Sequence, residues 1–481
     1  MGSSTRPSRG FRVGMGPRHV LGGLAMCLAM LHAAVDRAVP EPYMDEVFHV
    51  GQAAQYCLGH WGHWDPKIST FPGLYVVPAL VARASVAALG LDASEVCFSV
   101  RLYRASNAAA LLLCAWITYG LLRRLHPAMT RGEAAWKTLA LAVLPTHFFY
   151  ASLFYTDVAS LACVLGCYAL SLDGKAAGSA VAGAVAVLYR QTNVVWVAFI
   201  AGAAILERLG GDKAVVQASP GGRALLSALR RQVLLHPGLR VALLRALPHA
   251  VVVLGALCFF VHNGGLAVGD KDAHVSSFHP PQVLYFLLFV LGASFPRFAR
   301  PSQWRAQAMT LKHDAQAIFG PRFKYGPAAA ALGALFVVPL TVTVVSRFTR
   351  AHPYTLADNR HYTFYVWRRI IDGAWWTRYA LIPLELYAAW SLWASLRARQ
   401  SILWTLGYAA CVIAVLTPAL MLEFRYYTVP FVLASLHWRE PSLAPVKAAA
   451  LVGVAVNLVT LYVFLYRPFT WPAGTVERFM W

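Results

Sequence analysis

The segment Glu41-Pro42-Tyr43-Met44-Asp45-Glu46-Val47-Phe48-His49 sets two adjacent carboxylates and a histidine just past the first apolar run of the chain. Charged residues make up only 13% of the sequence. Ionisable groups at the edge of a bilayer cost free energy unless they are paired or used, so the segment reads first as a functional site. Pro42 suits a first helical position, and a short helix over 42–57 is expected. At helical spacing Asp45, His49, Gln52 and Tyr56 share one stripe, while Glu46, Val50, Ala53 and Cys57 share a more apolar one. A carboxylate beside a histidine on a polar stripe at a helix N-terminus suits a general base that takes a proton from an incoming hydroxyl. Asp45 is the first choice for that base. Glu46 is its rival, because desolvation on the apolar stripe favours proton uptake; otherwise it orients His49 or the acceptor. The plainer alternative is that both acids only cap the helix and hold it at the headgroups.

His60, His63 and Asp65 follow at once, and with His49 they raise the question of a metal. Their spacing has no compact zinc pattern, so no metal is expected. Trp61, Trp64, Tyr75, Trp367, Trp375 and Trp376 can stack on sugar rings or form an interfacial aromatic belt. Two further strings can grip a phosphate. Tyr189-Arg190-Gln191-Thr192-Asn193 sets an arginine among hydrogen-bonding side chains between two short apolar runs, and Glu423-Phe424-Arg425-Tyr426-Tyr427 does the same before another. A guanidinium near bilayer depth needs an anion, and a lipid phosphate offers a bidentate one. An internal ion pair, Arg425 with Glu423 for instance, is the competing explanation.

The elements that position these residues are membrane helices. The chain has 481 residues, 58% of them hydrophobic, with apolar stretches of bilayer length recurring throughout. Its formal charge of +21 is spread over loops, with no compact basic domain for a phosphate backbone, so nucleic acid is excluded as a partner. Arg6, Arg9, Arg12 and Arg18 precede an apolar run that carries His32 and Asp36 without a clear cleavage site, and an uncleaved anchor over 19–39 is expected. Further spans are expected near 104–122, 136–151, 154–172, 177–189, 192–208, 247–262, 282–298, 327–346, 379–396, 402–420, 425–438 and 446–466. Placing 73–90 in the interface as an amphipathic helix puts every strongly basic loop on one side: Arg123 to Lys137, Arg208 to Arg245, Arg297 to Lys324, and Arg397 with Arg399. The other face collects 41–103, Tyr189 to Asn193, Asn263 to Pro281, Arg347 to Arg378 and the Leu422 to Tyr427 corner, rich in acids, amides, histidine and tryptophan. The expected organisation is a single integral-membrane domain over 1–481: the anchor, a first non-cytosolic loop over 41–103, a remaining bundle over 104–466, and a basic cytosolic loop over 209–243. The eight cysteines show no metal-ligand spacing. Cys57 and Cys97 share the first loop, where a disulfide between them is open.

Several strings resemble the dolichyl-phosphate-glucose-dependent alpha-1,2-glucosyltransferase family of the endoplasmic reticulum. They are Pro42 to His49, Trp64-Asp65-Pro66-Lys67-Ile68-Ser69-Thr70-Phe71-Pro72-Gly73-Leu74-Tyr75, Arg190 to Asn193, Gly269-Asp270-Lys271-Asp272-Ala273-His274-Val275, Leu356-Ala357-Asp358-Asn359-Arg360-His361-Tyr362, Leu422 to Tyr427, and Arg478-Phe479-Met480-Trp481. The main departure is the basic stretch 209–240. The resemblance implies an all-α polytopic fold, a GT-C bundle of about 12–14 transmembrane helices with luminal interfacial helices in the first loop. It implies inverting transfer of glucose from dolichyl phosphate glucose, in alpha-1,2 linkage, to the diglucosylated dolichyl-diphosphate-linked oligosaccharide, at the luminal face of the endoplasmic reticulum membrane. It implies Asp45 or Glu46 as the catalytic acid. His49, Trp64, Asp65, Tyr75, Arg190, Gln191, Asn193, Lys271, Arg360, His361, Glu423 and Arg425 are then expected around the substrates. Membrane lipids are expected partners, and no cofactor is expected. A non-enzymatic lipid or solute transporter is the competing class, although no internal repeat supports it.

Overall fold

The computed structural model describes residues 16–209, 230–271, 277–319, 327–440 and 442–481. Arg6, Arg9, Arg12, Lys324, most of the basic loop 209–243, and Asp272 to Val275 of the Gly269 string lie outside the described residues.

The described chain is helical, apart from a two-residue hairpin pairing Phe469–Thr470 with Val476–Glu477. Among the described residues, four helices are long and apolar enough to cross a membrane: Pro17–Ala38, Val100–Leu125, Leu239–Asn263 and Leu443–Tyr466. Shorter apolar helices, among them Thr156–Leu172, Ala176–Tyr189, Pro281–Ala293 and Ile402–Leu416, pack with them. The result is a multi-pass membrane protein. One large cluster of buried side chains runs through the bundle, and a smaller one joins the first loop to it through Tyr75, Tyr103 and Phe154.

Among the expected elements that differ from those observed, three bear on the site. The helix expected over 42–57 is Glu46–Cys57. Met44 adopts a left-handed φ of 57°, and the Glu46 carboxylate takes the Tyr43 N–H at 3.0 Å, so the chain turns there instead of coiling. The span expected over 136–151 is two helices, Arg131–Ala142 and Pro145–Tyr150. The Thr130–Glu133 capping box starts the first, and Pro145 forces Leu144 into an extended ψ of 124° that ends it. The span expected over 425–438 begins as a tight 3-10 turn, Phe424–Tyr427, and only Thr428–His437 is α-helical. Ten residues rise roughly 15 Å, about half a hydrocarbon core.

The helix expected near 73–90 forms as Gly73–Leu89 and packs on Glu46–Cys57. A Cβ on Gly73 would meet the Leu188 carbonyl at 2.6 Å, so glycine lets this helix reach the Ala176–Tyr189 helix. A disulfide joins Cys57 to Cys97 across 40 residues. Closing a loop of that length stabilises the fold by on the order of 4 kcal/mol in the chain-entropy picture.

Candidate active site

The adjacent acids of the first loop point in opposite directions. Glu46 is wholly buried against Arg104, itself wholly buried, in a bidentate pair with N···O distances of 2.9 and 2.6 Å. Arg104 also donates to the carbonyls of Val39 and Glu41 at 2.7 and 3.1 Å, and Glu46 accepts from the backbone N–H groups of Tyr43 and Phe154. Every arm of this pair is used, which is what lets two charges sit in an apolar interior. The hub ties the first-loop turn to the Val100–Leu125 helix and to the Phe154 backbone. Glu46 has no free face for a substrate. Asp45 instead leaves its side chain 48% exposed, while its N–H donates to the Tyr155 hydroxyl at 3.2 Å.

Asp45 opens into a cavity of about 570 Å³ that is also lined by His49, Arg190, Arg360, His361, Glu423 and Arg425. Four separate chain segments thus converge on one space. The Arg425 guanidinium lies over the rings of Tyr150 and Tyr155 at 5.7 and 5.5 Å. Its Nε donates to Glu423. Its terminal nitrogens Nη1 and Nη2 stand 3.8 Å from Asp157 and 3.9 Å from Asp45, beyond hydrogen-bond length. Arg190 donates to the other oxygen of Asp157 and lies 5.0 Å from the centre of the Tyr426 ring. The two guanidinium groups therefore share one buried carboxylate, and Arg425 keeps a two-pronged fork facing the cavity.

Ionisation follows this arrangement. Burial opposes charge on Glu423, but Arg425, through charge and hydrogen bond, aided by His361 and Arg190, carries the balance and holds its carboxyl below the usual range. Burial likewise opposes charge on Arg425, and Glu423, Tyr150 and Asp157 outweigh it, so its guanidinium stays protonated more firmly than usual. Burial pushes His49 below its ordinary value, with Arg425 acting the same way against Asp45, Glu46 and Asp157. His49 is thus neutral near neutral pH, and its Nδ1 meets the Tyr75 hydroxyl at 2.8 Å.

The remaining expected residues are placed around or behind this cavity. Arg360 lines it, but Asp358 grips it bidentately at 2.9 and 2.8 Å and Glu477 takes its third arm at 2.8 Å. That clamp, with the Asp358 bond named first among its causes, raises the Arg360 pKa. His361 Nδ1 meets the Trp481 carbonyl at 2.9 Å, so the chain's last described strand-like segment is folded back onto the site. Tyr75 and Trp64 stand behind His49 with their rings edge to face. Asp65 caps the backbone of Lys67, and Gln191 donates to the Ser69 carbonyl at 2.7 Å. Asn193 is buried on Ser160 and the Ala186 carbonyl. Lys271 is exposed and bonds Asn263 outside the cavity. His60 turns to Gln55, and among the described residues no group of three or more His, Cys, Asp or Glu side chains is close enough to hold a metal ion.

Gly269 earns its place by a close approach. A Cβ there would meet the carbonyls of Pro66 and Ile68 at 2.4 and 2.6 Å, and Asp270 and Val268 donate to Pro66 and Ser69. The Trp64 and Gly269 strings are therefore two sides of one wall.

Asp157, which lies behind Arg190 and Arg425, has no role in the expectations from sequence, while Tyr150, Tyr155 and Trp481 line the cavity itself. A carboxylate in the first turn of the apolar Thr156–Leu172 helix is a signal by itself, since acids within such helices are rarely idle.

A second cavity, about 400 Å³ and mostly apolar, adjoins the first and shares Ser69, Thr70, Arg190, Tyr354, Met421, Arg425 and Tyr426 with it. It runs along Val194, Trp196, Leu257, Phe260, Val415 and Val429 into the bundle.

These features define a helical, multi-pass membrane protein with an acid- and arginine-lined cavity opening onto an apolar groove. The chain belongs to the DIE2/ALG10 family, which it matches over residues 39–436. It is 34% identical over 477 residues to the rat Dol-P-Glc:Glc(2)Man(9)GlcNAc(2)-PP-Dol alpha-1,2-glucosyltransferase of Rattus norvegicus, covering 95% of this chain and 96% of that one. The protein of the same name from Arabidopsis thaliana is 34% identical, with 93% and 96% covered, and that from Drosophila melanogaster 31%, with 91% and 93%. The crystal structure of ArnT from Cupriavidus metallidurans bound to undecaprenyl phosphate is similar at a TM-score of 0.36 and 13% identity, over 91% of this chain and 78% of that one. That likeness is too slight to bear on the site.

Proposed function

We propose that this protein is an inverting alpha-1,2-glucosyltransferase that moves glucose from dolichyl phosphate β-D-glucose to the diglucosylated dolichyl-diphosphate oligosaccharide. Its relatives, 34% identical end to end, carry that activity in their names. The observation in this chain that carries the reading is the pairing of an open carboxylate, Asp45, with an arginine fork, Arg425, at the mouth of an apolar groove. In the pathway to which this substrate belongs, the site faces the lumen of the endoplasmic reticulum.

The prenyl chain of the donor lies in the apolar groove, and its phosphate meets Arg425 Nη1 and Nη2 with Arg190 beside them. A phosphate leaving from C1 departs as a stable anion and needs charge stabilisation more than a proton. Asp45 takes the proton of the acceptor glucose 2-hydroxyl as that oxygen bonds to C1. The C1–O bond to phosphate breaks on the opposite face, the β anomer becomes α, and dolichyl phosphate leaves. Phosphate binding draws Arg425 away from Asp45 and so frees the base only when donor is present. Glu46 and Arg104 hold the turn that aims Asp45. Arg360 and His361 fix the far wall, where the acceptor glycan enters.

The test is incubation of purified protein with dolichyl phosphate glucose and the diglucosylated lipid-linked glycan. One added hexose, cleavable as an alpha-1,2 linkage, supports the proposal, and no mass increment overturns it. The arginines supply the charge that a divalent ion supplies elsewhere, so transfer survives excess EDTA. Loss on chelation with rescue by one divalent ion would contradict this and direct attention to His49, His60, His63 and Asp65.

A further inference from the structure

A third cavity, about 280 Å³, lies below Phe424 and Trp481 on the side of the site away from the donor groove. Its walls are apolar, including Leu141, Phe431, Val446 and Val456, and it opens toward the membrane past the exposed Val452. Along the Thr428–His437 helix it reaches the opposite end of that element, roughly 15 Å from the active site. There its lining turns charged, with two cations, Lys137 and Arg297, against one carboxylate, Glu440.

Lys137 and Arg297, 4% and 8% exposed, both face this end. Lys137 donates to the Trp438 carbonyl and reaches Glu440 at 3.3 Å. Arg297 donates to the Arg439 carbonyl at 3.0 Å and to Ser395 at 3.3 Å, and among the described residues no carboxylate lies within ion-pair distance of it. Its Nε has no partner, nor has the hydroxyl of Ser435, which is 1% exposed and lines the same cavity. A buried guanidinium with an unused donor, in a cavity that also holds an unused hydroxyl, is costly unless an anion completes it.

We infer that this groove binds one anionic phospholipid from the leaflet opposite the active site, its phosphate on Arg297, Lys137 and Ser435 and an acyl chain running up the apolar wall to Phe424 and Trp481. Charge complementarity selects this occupant. A prenyl chain entering from the active-site end would bring its hydrocarbon tip against two buried cations, a mismatch that an acyl chain led by a phosphate avoids. Seated there, the lipid packs beneath two residues that line the catalytic cavity.

Native mass spectrometry of the delipidated protein tests this with three probes: phosphatidylglycerol, phosphatidylcholine and free dolichol. One tightly retained phosphatidylglycerol is expected, with phosphatidylcholine roughly tenfold or more weaker for want of net charge. Arg297→Gln should abolish that preference. Because that change could also disturb folding, Gly292→Leu provides a second arm. Gly292 lines the groove, and a Cβ there meets nothing within 4 Å, so a leucine side chain starts from open space in the groove. It should exclude the lipid while the melting temperature measured without lipid stays unchanged. Equal retention of both phospholipids, preferential retention of dolichol, or unchanged phosphatidylglycerol binding in Gly292→Leu would each overturn the inference.

Discussion

Arg425 Nη2 stands 3.9 Å from the Asp45 carboxylate, a cation and an acid from opposite ends of the chain meeting in one cavity. They are near enough to attract and too far apart to hydrogen-bond, so a phosphate can take the arginine without breaking a formed bond. The rest of the site keeps that pair poised.

Lysine at either arginine keeps the charge and loses the fork. Arg425→Lys should raise the apparent donor KM roughly tenfold or more, and Arg190→Lys less, because Arg190 already donates to Asp157. Arg360→Lys should leave the donor KM near wild type, since Asp358 and Glu477 occupy its arms. Donor titrations at saturating acceptor check this ordering. An unchanged donor KM in both the Arg425 and Arg190 variants removes them as phosphate partners.

Asp157→Asn should lower transfer efficiency roughly tenfold to a hundredfold, since it removes the charge that both guanidinium groups share, and bonds to charged groups contribute about 1.5–3 kcal/mol. Steady-state kinetics with both substrates varied will show whether the loss lies on the donor side. A loss confined to acceptor KM would place Asp157 outside the donor site.

Much of this site was legible in residue types. Asp45, Arg190 and Arg425 stood out because charge is scarce in an apolar chain and must be explained. The partner of each side chain was not legible. Asp45 and Glu46 differ by one position on a helical turn, which separates their side chains, and the left-handed turn at Met44 sets the pair so that Asp45 meets the cavity and Glu46 meets Arg104. That partner depends on how a helix beginning at Val100 sits beside the first loop, which local spacing does not encode. Gln191 and Asn193 read as ligand-binding amides, yet their amide nitrogens donate to the chain itself. The interruption at Pro145 was written in the sequence but hidden by the apolar run around it.

Glu46→Gln leaves Arg104 buried with its counter-charge removed. Breaking such a pair costs about 3–5 kcal/mol, and the low end applies because Asp36 remains 3.8 Å away. The variant should melt several degrees lower in detergent. Replacing both members by Leu and Met should recover part of that loss. A Glu46→Gln protein that is fully stable and wholly inactive would move the base to Glu46.

His49 gives the fold a pH dependence of known sign. Burial lowers its pKa below 6.5, so in the window below 6.5 the unfolded chain binds more protons than the folded one. Stability from this group is therefore present above that window and is lost as pH falls through it. The melting temperature should drop between pH 7 and pH 5, and His49→Gln should flatten the slope. Equal slopes for wild type and variant would show that His49 does not govern acid sensitivity.

The most direct measurement is single-turnover transfer by Asp45→Asn with saturating dolichyl phosphate glucose and diglucosylated acceptor. The substitution keeps shape and removes basicity, so the rate should fall by roughly a hundredfold or more while melting temperature and donor binding stay near wild type. A rate within a few fold of wild type would contradict the assignment of Asp45 as the base.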